Sequence, residues 1–482
     1  MAISGGSSDR DESDDSIDSF LRQVAAETYP QGGPLGFLLP GTTLAGRYRV
    51  DSLARRGGMG AIYRGVDLAT ERPIAIKTVG RLARDAGARF LRETSILAEL
   101  SHPGIVQYLA HGSTSEGTLY LVMEWLNGED LAERLRRAPL SMEESLMLLR
   151  RVCSALSLAH RRGIVHRDIK PANLFLPLSE ARSVKLLDFG VARLAEEAHA
   201  LTSNGVRIGT VGYMSPEQAM GEVDVDARAD VFAIGCVFYE CVTGRAPFAS
   251  SHPVGILAKV LQEDPPRPSD LKSDLDPIVD ELVARLLAKN RRDRPRDAFA
   301  VLEGFAELAA RSRSTAPKLR PSLSPRRPEQ KIVTVILGKG QADGAVVEQD
   351  AYDTDEPLQR IAEKFGARVL PLKGGAMLLV LAGRGEANDR ASQAALCALE
   401  LSLQRSHLTL AVATGLADTS GSVPMGAAID RAALLLGQGG RLRGVLLDDV
   451  TLGLVGLRFD VQKLGGVNVL LAARRVLDAP RS

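Results

Sequence analysis

The stretch His166-Arg167-Asp168-Ile169-Lys170-Pro171-Ala172-Asn173 decides how the rest of the chain is read. It sets an aspartate and an asparagine five residues apart with a lysine between them. One loop therefore offers a proton acceptor, an oxygen ligand for a hard cation and a cationic contact for a phosphate. Further on, the mainly hydrophobic segment Val184 to Leu187 reads as a strand and ends in Asp188-Phe189-Gly190, where Asp188 supplies a second oxygen ligand. Magnesium takes few protein oxygens and keeps the rest of its shell for water and substrate phosphates, and this inventory fits that habit.

Upstream of the loop the chain alternates short β-type segments. Tyr48-Arg49-Val50, Ala61-Ile62-Tyr63 and Ile74-Ala75-Ile76-Lys77 read as strands parted by glycine and charged turns. Gly57-Gly58-Met59-Gly60 falls between the first two. Without Cβ atoms such a turn lets backbone N–H groups approach phosphate oxygens, although a glycine-rich hairpin is equally a plain turn. Lys77 ends a strand of β-branched residues, a position open to a surface lysine as well as a functional one. A helical pattern follows at Arg89 to Leu100, with Phe90, Ile96, Leu97 and Leu100 on one side. Leu119 to Glu124 reads as a buried strand. From Ser141 onward the period becomes helical, through Leu146, Leu149, Val152, Leu156 and Leu158. A small β-rich lobe thus precedes a larger helical one that ends near Ala310.

The flanks differ in composition. Residues 1–40 carry the acidic cluster Asp9, Asp11, Glu12, Asp14, Asp15 and Asp18 among Ser, Gly and Pro, and cannot bury enough apolar surface to fold alone. Residues 311–330 form a basic linker rich in Ser and Pro, with Pro317, Pro321, Pro325 and Pro328 blocking regular structure. A β-branched strand at Lys331 to Leu337 opens a second domain over 331–477. Across all 482 residues, 45% are hydrophobic and 25% charged, which excludes wholesale disorder. A net charge of +1 calls for neither nucleic acid nor an acidic membrane as partner. No apolar run approaches the roughly 20 residues of a membrane-spanning helix, and no signal-peptide pattern opens the chain. The four cysteines, Cys153, Cys236, Cys241 and Cys397, form no C-x-x-C pair and read as reduced core thiols. The expected compartment is the cytoplasm.

In the order glycine loop, Ile-Ala-Ile-Lys, HRDIKPAN, DFG and Ser215-Pro216-Glu217, these segments resemble the eukaryotic-type protein kinase family over about Tyr48 to Ala310. The resemblance implies a bilobal kinase fold over 41–310, with an N-lobe at 41–126 and a C-lobe at 127–310. It also assigns roles. Gly57, Gly58 and Gly60 would cover the phosphates of ATP, and Lys77 would bind the α- and β-phosphates and pair with Glu93. Asp168 would accept or orient the substrate hydroxyl, Lys170 would neutralise the transferred phosphoryl, and Asn173 and Asp188 would hold Mg2+. Glu124, Trp125 and Leu126 look like the hinge that meets adenine. Lys170 with Thr210 marks the serine/threonine branch, so the implied partners are proteins with Ser/Thr acceptors. Glu217 and Arg294 resemble the ion pair that braces the helical lobe, and Asp230 the aspartate that supports the catalytic loop. Arg167 before Asp168 implies an activation segment ordered by phosphorylation, with Thr202 or Ser203 as the sites. The Gly-Gly-Met-Gly loop is similar to that of bacterial members. Arg55 departs from the pattern, standing where the first loop glycine belongs, and it is the one feature that favours a nucleotide-binding pseudokinase.

The second domain resembles a class III nucleotide cyclase fold, α+β and ferredoxin-like, without its chemistry. Ile332 to Leu337, Leu358 to Phe365, the hairpin Arg368 to Leu381, Arg390 to Leu403, Leu408 to Gly415 and Gly426 to Ala433 follow that frame. Leu337-Gly338 and Gly374 stand where metal aspartates belong, Leu370 at the purine-selecting lysine, and Asp430 and Leu434 at the expected asparagine and arginine. Without two carboxylates nothing holds a metal pair, which speaks against a bifunctional kinase–cyclase. Sensing, partner docking and a homodimer through either domain stay open, as does an unrelated α+β interaction domain.

Overall fold

Ala61, Tyr63, Gly65 and Asp67 are buried in strand β3 (Gly60–Asp67) and the residues between them are not, the two-residue period of a strand with one face on a core. The computed structural model describes residues 38–57, 60–79, 94, 98–189, 211–305, 330–340, 356–373, 375–381, 386–418, 426–439 and 442–474. Within them β3 pairs antiparallel with β2 (Tyr48–Gly57) and β4 (Arg72–Val79), where Ile74 and Ile76 are fully buried. With β1 (Thr43–Leu44), β5 (Tyr108–Ser113) and β6 (Leu119–Glu124) they form a sheet in the order β1-β2-β3-β4-β6-β5. The buried Asp67 carboxylate accepts both Arg47 donors, at 2.6 and 2.7 Å, so its pKa falls well below the usual carboxylate range. The helix expected at Arg89 to Leu100 lies mostly outside the described residues, as do the acidic tail and most of the linker.

By compactness the chain divides into Met1–Arg81 with Gly112–Leu121, and Leu82–His111 with Val122–Ser482. In the second unit, β7 (Gly128–Asp130), β8 (Leu174–Pro177) and β9 (Lys185–Leu186) make a small antiparallel sheet. The strand expected at Val184 to Leu187 shrinks to Lys185–Leu186, because Ala181–Ser183 close a 3-10 turn just before it. Helix α1 (Leu131–Arg137) leads to α2 (Met142–Arg161), whose start is set by a capping box between Ser141 and Glu144. The lobe continues through α3 (Pro216–Met220), α4 (Ala227–Thr243), α5 (Pro253–Gln262) and α6 (Pro277–Leu286). Helix α4 is buried on nearly every side, as the central helix of a helical domain must be. Gly235 permits this: a Cβ there would lie 2.8 Å from Leu286 Cβ and 2.9 Å from Leu287 Cδ2.

Glu217 on α3 and Arg294 are 3% and 4% exposed, and their two-pronged pair spans 2.8 and 2.9 Å. The remaining guanidinium donors go to the carbonyls of Ala288, Arg228 and Lys289, so the buried cation is fully satisfied.

Residues 330–474 build an α+β domain. Strand β10 (Gln330–Gly340) begins one residue inside the expected linker and pairs along its full length with β13 (Leu408–Asp418). Helix α7 (Glu356–Lys364), β11 (Arg368–Leu372), β12 (Ala376–Leu381) and α8 (Ala387–Gln404) lie between them in the chain. The β10-α7-β11-β12-α8-β13 unit has the antiparallel order β11-β12-β10-β13, which is the ferredoxin-like arrangement. Helices α9 (Gly426–Gln438) and α10 (Asp449–Val455) and strands β14 (Gly444–Leu447), β15 (Phe459–Leu464) and β16 (Val467–Ala473) extend it. Leu408, Leu410 and Val412 pack on α8 through Ala391, Ala394 and Ala398. Alternation turns Ala411 and Ala413 to the other face, where α9 lies with Ala428, Ile429 and Ala432 buried.

Glu217→Ala leaves the Arg294 guanidinium buried and unpaired. We expect it to destabilise the helical lobe by about 3–5 kcal/mol, read from the denaturant midpoint.

Candidate active site

Asp230, in the first turn of α4 and 1% exposed, organises the loop 166–173. Its Oδ2 accepts the backbone N–H of His166 at 2.8 Å and His160 Nε2 at 2.9 Å, and its Oδ1 accepts the N–H of Arg167 at 2.8 Å. Burial is the strongest influence on this carboxyl and opposes ionisation. The hydrogen bonds from His160 and from the His166 amide outweigh it, so the pKa sits below the ordinary value. His160 Nδ1 accepts from Ala298 N, so its proton lies on Nε2 and is donated to Asp230.

The loop's next contacts run to the 187–189 segment. His166 Nδ1 accepts from Asp168 N, and Nε2 donates to Leu187 O at 2.9 Å, while the ring lies 4.6 Å from that of Phe189. Leu187 N in turn donates to Asn173 O at 2.9 Å. Arg167 and Asp188 both adopt left-handed backbone, with φ of 65° and 56°. That conformation costs a non-glycine residue about 1–2 kcal/mol, and the Asp230 bond to the Arg167 amide holds it at one of the two. Tyr108 is buried beside this segment; burial, then the charge of Asp188, raises its phenol pKa.

The chemically able groups converge on Asp168. Lys170 Nζ lies 2.9 and 2.7 Å from the two carboxylate oxygens, and Asn173 Nδ2 donates at 2.8 Å to both the main-chain oxygen and Oδ2. Gln218 Nε2 on α3 donates to Arg167 O at 2.8 Å, tying the helix after the Ser-Pro-Glu motif to the same loop. His160 and Gln218 were not singled out from sequence. Their roles depend on contacts 70 and 51 residues away, and a histidine in an apolar helix or a glutamine after a proline carries no local signal.

Other expected positions fall as follows. Asp168, Lys170 and Asn173 lie together as described, and Asp188 follows Leu187, whose amide donates to Asn173 O. Gly57 closes the β2–β3 ladder opposite Gly60, whose φ of 146° suits only glycine. Arg55 and Lys77 oppose the same residue, Ile62, from β2 and β4, so the three side chains share one sheet face. The Glu124 carboxylate is engaged by Lys185 Nζ and Gln107 N, at 2.5 and 2.8 Å, and its backbone N–H donates to Gln107 O at 3.0 Å, so any hinge role falls to its carbonyl and to the main chain of Leu126. Trp125 Nε1 donates to Asn127 Oδ1. Gly58, Glu93, Thr202, Ser203 and Thr210 lie outside the described residues.

The profile of the protein kinase domain family matches residues 48–304, more than half of the chain. The chain is similar to the serine/threonine-protein kinase pkn3 of Myxococcus xanthus, with 38% identity over 271 residues, covering 54% of this chain and 49% of that protein. It is also similar to the serine/threonine-protein kinase PknB of Mycolicibacterium smegmatis, with 37% identity over 284 residues, covering 57% of this chain and 45% of that protein. PknB of Mycobacterium tuberculosis H37Rv gives 36% over 284 residues, 57% and 45%. The chain spans about half the length of the curated relatives it matches. A β-rich sheet, a helical lobe and a carboxylate loop braced by a buried aspartate are the marks of a protein kinase domain. This chain belongs to the protein kinase domain family.

Proposed function

We propose that the chain is a serine/threonine protein kinase that moves the γ-phosphoryl group of ATP to Ser/Thr hydroxyls of proteins. The observation that carries this reading is the convergence of Lys170 and Asn173 on the Asp168 carboxylate, on a loop whose backbone is held by Asp230. Asp168 would orient the acceptor hydroxyl and take its proton. Lys170, already 2.7 Å from that carboxylate, would offset charge on the transferred group. Phosphoryl transfer asks little covalent chemistry of the protein, so positioning and electrostatics carry most of the rate. The names of the similar proteins support the Ser/Thr assignment.

The oxygen donors fit Mg2+. Asn173 spends its amide nitrogen on Asp168, so its oxygen is the end that would meet a cation, and Asp188 adds a carboxylate from the adjoining segment. Bound there, Mg2+ would supply charge neutralisation for the ATP phosphates. Lys77 and the loop of Gly57, Gly58 and Gly60 would contact those phosphates, with Arg55 adding a second cation to the sheet face of Lys77. Among the described residues no helix is long and apolar enough to cross a membrane. The four buried, unpaired thiols favour a reducing compartment, and we propose the cytoplasm.

For residues 330–474 we propose a cyclase-type frame that serves as a non-catalytic regulatory domain. The ferredoxin-like strand order supports the frame. A side chain at Gly338 would meet Met377 Cγ at 2.7 Å and Leu410 Cδ2 at 2.9 Å, which leaves no space for a metal aspartate.

Asp168→Asn should keep the fold and nucleotide binding while lowering phosphoryl transfer about 10²–10⁴-fold, measured with [γ-³²P]ATP. Retention of full activity would overturn the kinase reading. Active protein should carry phosphate on Thr202 or Ser203, and Arg167→Ala should abolish the activity gained from it. Mass spectrometry of fully active protein with neither residue modified would contradict that.

A further inference from the structure

The C-terminal domain is seated on the helical lobe. Helix α9 crosses α5 closely enough that a Cβ on Gly255 would lie 2.6 Å from Ala433 Cβ. Lys259 on α5, 8% exposed, directs its ammonium to Asp430 Oδ2 at 2.7 Å and to Ala249 O at 2.8 Å. Glu263 at the end of α5 meets the first residue of α9: a Cβ on Gly426 would lie 2.7 Å from Glu263 Oε2. Burial raises the Glu263 pKa, with Asp430 adding to the rise and Lys259 opposing it. A third contact is made by main chain, where Lys373 N in the β11–β12 turn donates to Ala219 O on α3 at 2.8 Å.

The last of these contacts adjoins the loop 166–173. Ala219 follows Gln218, whose amide binds Arg167 O, the residue before Asp168. Helix α5 also backs the segment that follows Thr210, since a Cβ on Gly212 would lie 3.7 Å from Ile256 Cγ2. A folded protein that presents a hydroxyl to Asp168 needs surface around it, about 800 Å² on each partner in a standard complex. A short peptide needs only the immediate site.

We propose that the C-terminal domain is a tethered cover over the α3–α5 surface, held by its own complementary contacts. It competes with folded protein substrates and leaves short peptides unhindered. This rests on the kinase reading above. The Lys259–Asp430 pair and the close glycine approaches give the cover a definite seat on the lobe, and the turn at Lys373 joins it to α3 at the residue after Gln218. Release of the domain then exposes the α3–α5 face without altering the groups around Asp168.

The test uses the full chain and two single variants that weaken the seat from the C-terminal side. Asp430→Lys sets like charges together, and Gly426→Trp drives a side chain into Glu263. Two substrates are compared: a degenerate mixture of short Ser/Thr peptides, and the full-length Asp168→Asn chain as a folded protein. Hydrogen exchange in residues 253–262 reports whether the seat has opened. The expected result is faster exchange there in both variants, a rise of about threefold or more in kcat/KM for the folded substrate, and unchanged peptide kinetics. Faster exchange with an unchanged or lower rate on the folded substrate would overturn the cover. Unchanged exchange would overturn the assignment of these contacts as its seat. A parallel rise on peptides would show that the domain acts on catalysis itself and not on access. An unaltered chain that phosphorylates neither substrate would sink the kinase reading, and the cover with it.

Discussion

A carboxylate taken out of water must be met by donors or give up its charge. Asp230 is met by three: the amides of His166 and Arg167 and the ring of His160. Each fixes something different. The two amides set the direction in which the loop leaves toward Asp168, including the left-handed turn at Arg167. His160 joins α2 to α4 and, through its other nitrogen, to the helical segment that begins near Ala298. The position of the Asp168 carboxylate is thereby referred to α4, a helix buried on nearly every side. Precise positioning is what the proposed phosphoryl transfer would most require of a protein, so one buried anion would link the packing of the core to that chemistry.

Other polar groups in the lobe follow the same logic. Arg294 is buried with every donor satisfied, and Glu217 closes the pair from α3. Because α3 also carries Gln218, this helix is fixed to the core at one residue and to the loop 166–173 at the next. The C-terminal domain attaches at this same helix through Ala219. Three consecutive residues of α3 therefore connect core, loop and second domain.

Much of this was legible in the chain. The loop motif and the DFG segment carry chemistry in contiguous residues, and the β3 and β4 strands carry it in period-two burial. Even the Asp230 and Glu217–Arg294 roles followed from resemblance. Contacts between distant residues of ordinary type were not legible. Lys259 and Asp430 are 171 residues apart, and neither stands out in its helix. Asp430 was noticed only as a departure from a cyclase pattern, whereas its partner is a lysine of the helical lobe. Strands β14 to β16 were not separately delimited, since short apolar runs near 444–473 lack strong punctuation. The shortened strand at Lys185–Leu186 shows the same limit in reverse: a short, mostly apolar segment says nothing about the turn that precedes it.

The most direct measurement compares Asp230→Asn with the unaltered chain. Asparagine keeps the shape but presents an NH2 group where an amide N–H or the His160 donor now finds an oxygen. If the buried carboxylate positions Asp168, the variant should still fold and bind nucleotide, with kcat lower by about 10²-fold and the KM for ATP nearly unchanged. A variant that turns over at the full rate would contradict the account, because the loop would then hold its geometry without the charge that is said to fix it.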